Sequence, residues 1–94
     1  MTPEGAVKKK IKDILNTKGA YYTMPIGTGY GAAGVPDFVI CYRGRFIGEE
    51  AKANGNKPTA LQEKHMSAIR GQGGLTLVIE ETNIDALTRL LEQL

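Results

Sequence analysis

Only one cysteine, Cys41, occurs in the 94 residues. No internal disulfide can form, so the core must carry the fold, and the expected setting is a reducing, cytoplasmic compartment. Long apolar runs are missing too. The longest, Phe38–Tyr42, falls far short of the ~18 residues that a membrane span requires, so no membrane partner is expected. Met1–Lys10 has no apolar stretch leading to a cleavage site and does not read as a signal peptide. Histidine is nearly absent. His65 stands alone, and nothing near it in sequence would orient it with Cys41 as a nucleophile–base pair.

What is present describes an ordinary small domain. Apolar residues make up 41% and charged residues 23% of the chain, which fits one soluble globular unit over residues 1–94. The net charge of +2 is unevenly spread: residues 1–47 carry seven Lys or Arg against three acids, and residues 48–94 carry five against seven. The densest basic run is Lys8-Lys9-Lys10-Ile11-Lys12. It reads either as the solvated face of a helix or as a patch that contacts phosphates.

Thr2 as N-cap with Pro3 at the first helical position starts a helix. Val7, Ile11, Ile14 and Leu15 then fall on one apolar stripe, and Gly19 ends it. Ala20–Ile26 has strand character, and Gly27–Gly34 is a glycine-rich loop. Asp37–Tyr42 and Arg45–Ala53 form a hairpin about Arg43-Gly44. A loop over Asn54–Pro58 leads to a helix from Thr59 to about Gly71, followed by a strand over Leu75–Glu81. Thr82 or Asn83 caps a last helix carrying Ile84, Leu87, Leu90, Leu91 and Leu94. The expected order is α-β-β-β-α-β-α. Three antiparallel strands and a helical crossover to a parallel fourth make a mixed sheet, with the apolar stripes all consumed as core.

Gly29-Tyr30-Gly31-Ala32-Ala33-Gly34 matches the G-x-G-x-x-G of dinucleotide sites. A pyrophosphate there needs a helix N-terminus directly behind the loop. Val35-Pro36-Asp37 leads into a strand instead, so no organic cofactor is expected. The small residues read better as a place where another backbone approaches closely.

The hairpin ends carry the chemistry. Side chains alternate faces along a strand, so Glu50 and Lys52 share a face with Phe46 and Gly48, while Glu49 points the other way. Asp37, Val39 and Cys41 share a face on the preceding strand. A two-residue turn at Arg43-Gly44 sets Tyr42 opposite Arg45 and Asp37 opposite Glu50. A three-residue turn with a bulge at Gly44 would pair Asp37 with Glu49; the first register is preferred. Opposed like charges destabilise a strand pair unless a cation lies between them. Lys52 offsets one charge, and a divalent ion satisfies both. Two carboxylates completed by water or phosphate oxygens suit Mg²⁺ or Mn²⁺. With a lysine beside them they form a kit for phosphodiester hydrolysis.

At Pro36-Asp37 and Glu50-Ala51-Lys52 the chain resembles the PD-(D/E)xK nuclease superfamily. Taken whole, with an acid in the first helix, "GVPDFVI", "EEAK" and a glutamine in the helix after the third strand, it resembles a stand-alone, phage-like VRR-NUC domain. The resemblance implies an α/β, restriction-endonuclease-like α-β-β-β-α-β core: a mixed four-stranded sheet flanked by helices, with an extra C-terminal helix. It implies Asp37, Glu50 and the Ala51 carbonyl as metal ligands, and Lys52 as the residue that activates water or stabilises the transition state. Glu4 would bind metal directly or through water, and Gln62 would support the site or a phosphate. Both also have local explanations: Glu4 complements a helix dipole, and Thr59-x-x-Gln62 is a capping box.

The implied activity is a Mg²⁺- or Mn²⁺-dependent DNA endonuclease, acting as a homodimer on branched DNA in the manner of Holliday-junction resolvases. A catalytically silent nucleic-acid-binding module, or a hydrolase of RNA or small phosphoesters, are the alternatives. Lys8, Lys9, Lys10, Arg43, Arg45 and Lys57 are the expected phosphate contacts. Tyr30 is a candidate for base stacking, as are Tyr21 and Tyr22, which strand packing would also explain. Cys41, mid-strand, is expected in the core.

Overall fold

The computed structural model describes residues 1–26 and 33–94; Tyr30 and most of the glycine motif lie outside these. Pro3–Lys18 forms α1, starting where the Thr-Pro pair predicts. Thr2 Oγ1 accepts the Gly5 amide at 3.0 Å, satisfying one of the free donors of the first turn. Gly19, at φ 71°, closes the other end. The elements that follow are β1 (Tyr21–Thr23), β2 (Phe38–Tyr42), β3 (Arg45–Ala51), α2 (Ala60–Gly71), β4 (Leu75–Ile79) and α3 (Asp85–Gln93). Both order and class are those read from the sequence.

The boundaries differ where local chemistry intervenes. β1 stops at Thr23, short of Ile26, because Pro25 has no amide to give a ladder. β3 ends at Ala51 instead of Ala53, because Asn54 and Gly55 both adopt positive φ and turn the chain. The expected cap of α3 is also corrected. Ile84 occupies the cap position and no side chain caps the helix. Asn83 is spent on the preceding turn, accepting the Glu80 amide at 2.7 Å and donating to the Val78 carbonyl.

Four strands lie in the order β1-β2-β3-β4. β1–β2 and β2–β3 are antiparallel and β3–β4 is parallel, reached through α2. The register turns on Arg43 and Gly44, with φ 50° and 77°. Two consecutive positive φ values make the two-residue turn whose twist suits a hairpin. Tyr42 therefore pairs with Arg45, and Phe38 with Glu49. An arginine in left-handed backbone is unusual. Its guanidinium is held over the Tyr42 ring and donates to the Leu94 carbonyl.

The two faces of the sheet are covered unequally. Phe38, Ile40, Ile47, Ala51 and Ile79 meet Val7, Ile11 and Leu15 of α1 and Leu87 and Leu91 of α3 in one buried cluster. α2 packs on the opposite face against β3 and β4. Gly48 allows this approach: a Cβ there would lie 2.6 Å from Ile69 Cδ1. The helical stripes are consumed as core, as expected. Because α2 covers only half of its face, one expectation fails: Cys41 is exposed, not core. Tyr21 and Phe46, outside those stripes, are exposed too, by 68% and 47%. Among the described residues, no helix is long and apolar enough to cross a membrane.

Candidate active site

The site is built where β2 begins and β3 ends. Phe38 and Glu49 are the last paired residues, so Asp37 lies alongside Glu50, as the two-residue turn requires. Asp37 Oδ2 accepts the Ala51 amide at 2.8 Å. That bond extends the ladder with a side chain and fixes the carboxylate in the plane of the sheet. It also orients Ala51 so that its peptide and two acids meet at one strand end.

Glu49 and Glu50 are both fully excluded from solvent, and none of their four carboxylate oxygens has a hydrogen-bond partner. Buried carboxylates without partners are costly. Burial first, and then the charge of Asp37, pushes the Glu50 pKa upward, while Lys52 opposes the rise. Glu49 is raised from 4.5 to about 8, again by burial and then by Asp37.

The neighbours of the two glutamates differ as the period-two alternation requires. Glu50 shares its face with Gly48 and Phe46, and its β4 partner is Val78. Glu49 lies between Phe38 on β2 and Leu77 on β4, on the face packed by α1 and α3. Sequence parity separated them, but not the full burial of Glu49. The signal for that was a charge in phase with Ile47 and Ala51, two core positions.

α1 reaches the same strand end. Lys8 Nζ is 3.4 Å from Glu4 Oε2 and 3.9 Å from Asp37 Oδ1. Lys8, expected among the phosphate contacts, thus turns toward the acids and links Glu4 to Asp37. Lys9 is paired with Asp13 on the exposed side of the helix, and Lys10 is exposed. Arg43 and Arg45 are at the hairpin turn, the opposite end of β2 and β3 from Asp37 and Glu50. Lys57 is exposed in the loop after β3. The expected basic contacts therefore do not form one patch.

Gln62 satisfies the local explanation. Its Oε1 accepts the Thr59 amide at 2.9 Å, and its own amide donates to Thr59 Oγ1. Both halves of the capping box are made. The close approach expected at the glycine loop is seen at Gly34, where a Cβ would lie 2.6 Å from the Leu61 carbonyl carbon. The backbone that approaches there is the first turn of α2.

Asp37, Glu50 and the Ala51 carbonyl supply oxygen donors only, and Glu50 brings two unpartnered oxygens. That is the donor chemistry of a hard divalent cation. Among the described residues, no group of three or more His, Cys, Asp or Glu side chains stands close enough to hold an ion. Glu4, engaged with Lys8, does not complete one, so the remaining positions of a metal would fall to water or substrate oxygens.

An acid opening one hairpin strand, set beside Glu-x-Lys closing the next within this element order, defines a PD-(D/E)xK-type nuclease fold. The solved structures narrow it further: the chain superposes on a VRR_NUC domain with a TM-score of 0.80, at 25% identity, over 95% of this chain and 97% of that one. No family model matches the sequence, and no curated protein does. The VRR-NUC resemblance read from the residues is thus matched in three dimensions along nearly the whole chain.

Proposed function

We propose that the chain is a Mg²⁺- or Mn²⁺-dependent endonuclease that hydrolyses phosphodiester bonds in DNA. One observation carries this reading: the carboxylate of Asp37, locked to the Ala51 amide at 2.8 Å, lies beside a buried, unpartnered Glu50 with Lys52 two residues on. A cation held by Asp37, Glu50 and the Ala51 carbonyl would polarise a phosphoryl oxygen and acidify a bound water. The protein's own share is positioning and charge. The Ala51 amide prevents Asp37 from rotating away. Burial first, and then the charge of Asp37, raises the Glu50 pKa; a cation between the acids would offset the repulsion. Lys52 lies on the Glu50 face, where its ammonium can stabilise charge developing on the phosphate or orient the attacking water.

A C2 homodimer acting on branched DNA is the form we propose. One site per chain does not readily cut two strands together, whereas two sites related by a dyad do.

The test incubates the protein with linear, single-stranded, flap and four-way DNA in Mg²⁺, Mn²⁺ or chelator. Cleavage that needs metal and is lost in Asp37→Ala and Lys52→Ala is the expected result. Absence of cleavage in either metal, or variants that cut like wild type, overturns the enzyme reading. DNA bound but never cut would identify a silent binding module.

A further inference from the structure

The two carboxylate oxygens of Asp37 have different surroundings. Oδ2 accepts the Ala51 amide at 2.8 Å, which leaves Oδ1 as the oxygen that would face a cation. The ammonium of Lys8 stands 3.9 Å from that Oδ1. The same ammonium lies 3.4 Å from Glu4 Oε2. One lysine thus touches both the acid that opens β2 and the acid in the first turn of α1.

Local helix chemistry explains only half of this. Glu4 and Lys8 are four residues apart on α1, in the acid-before-lysine order that a helix favours. Asp37 arrives from another element, and the phase of α1 brings it within reach. Val7 and Ile11 are buried in the core, so Lys8 lies at the border of the apolar stripe, where the helix meets the end of β2. The Lys8 and Asp37 side chains are 29% and 23% exposed, and salt screens such a half-buried pair less than one in open water. Lys9, one residue on, makes the contrast: it pairs with Asp13, and those side chains are 59% and 62% exposed.

Charge gives the consequence. A divalent ion brought between Asp37 and Glu50 would meet the Lys8 ammonium as a like charge beside one of its own ligand oxygens. Ammonium and metal therefore draw on the same acid. We propose that Lys8 is the resident counter-ion of the acid site: it neutralises Asp37 and Glu4, competes with a divalent cation for Asp37 Oδ1, and so sets the metal concentration at which the site fills. Lys8 is in this sense a positioning residue that acts through the acids. The inference rests on the metal site of the proposed function and adds to it a threshold built into α1.

The experiment titrates DNA-free protein with Mn²⁺ and counts the free ion by electron paramagnetic resonance. Lys8→Met and Lys8→Gln should each tighten Mn²⁺ binding by about 3- to 30-fold, the effect of removing a unit charge close to a divalent ion in largely aqueous surroundings. Lys8→Arg, which keeps the charge, should bind like wild type. Lys9→Met removes the same charge one residue away and should also bind like wild type. The gap between Lys8→Met and wild type should narrow as salt rises from about 50 to about 500 mM. In cleavage assays, the Mg²⁺ concentration for half-maximal rate should fall in both neutral Lys8 variants. Unchanged or weaker Mn²⁺ binding in those variants, or equal tightening in Lys9→Met, would overturn the proposal. Asp37→Ala separates the two readings. If it loses Mn²⁺ while the Lys8 variants match wild type, the metal site stands and the counter-ion role fails; if it binds Mn²⁺ like wild type, both fail.

Discussion

Glu49 allows the energetics to be tested without any substrate. Its carboxyl is fully buried with neither oxygen partnered, and its pKa rises from 4.5 to about 8 on folding. Between those values the folded chain retains a proton that the unfolded chain has released. The associated stability is therefore complete below pH 4.5 and lost as pH climbs toward 8. From these two values the loss is under about 1 kcal/mol at pH 5 and about 3 kcal/mol at pH 7. Against a total of about 5–15 kcal/mol for a small domain, this is a large fraction. Glu49→Gln keeps the shape and the buried polar group but removes the titration. Urea denaturation in chelator at pH 5 and pH 7 should show wild type losing about 2–3 kcal/mol more than the variant between the two. Glu50 titrates in both proteins and cancels. Parallel pH profiles would show that Glu49 finds water or a partner and that its burial carries no such cost.

Other perturbations follow from the close packing around the site. Gly34→Ala and Gly48→Ala both place a Cβ 2.6 Å from another atom, but the neighbours differ. At Gly34 the obstacle is the Leu61 backbone and φ is 82°, so neither side can yield; at Gly48 it is the end of Ile69, which can rotate. Denaturant midpoints should rank Gly34→Ala below Gly48→Ala, the latter costing about 1–3 kcal/mol; the reverse order would sink the account. Gln62→Ala should cost about 1 kcal/mol through loss of the cap with kcat for cleavage retained, and a deep loss of kcat at unchanged stability would assign it to the site. DNA affinity should fall steeply as salt rises from about 50 to 200 mM; a flat anisotropy titration would exclude phosphate-dominated contact.

Much of the site was legible because strand periodicity is strict. Once Arg43-Gly44 is a two-residue turn, counting alone brings Asp37 beside Glu50 and sends Glu49 to the other face, and the structure has that register. Thr2, Pro3 and Gly19 likewise act within a few residues of themselves, where local rules suffice. Asn83 was misread because a cap and a turn want the same side chain, and only the path from β4 decides between them.

The sequence by itself determined the order of elements, the mixed sheet, the hairpin register and the pairing of acids with lysine. These follow from propensity, alternation and turn chemistry, which act over neighbouring residues. Tertiary structure decided what neighbours in space decide. It turned Lys8 inward to join Glu4 and Asp37, buried Glu49 between Phe38 and Leu77, and left Tyr21, Cys41 and Phe46 uncovered. That last outcome depends on how far α2 extends across the sheet, and no local pattern in the chain records the reach of a helix over strands distant in sequence.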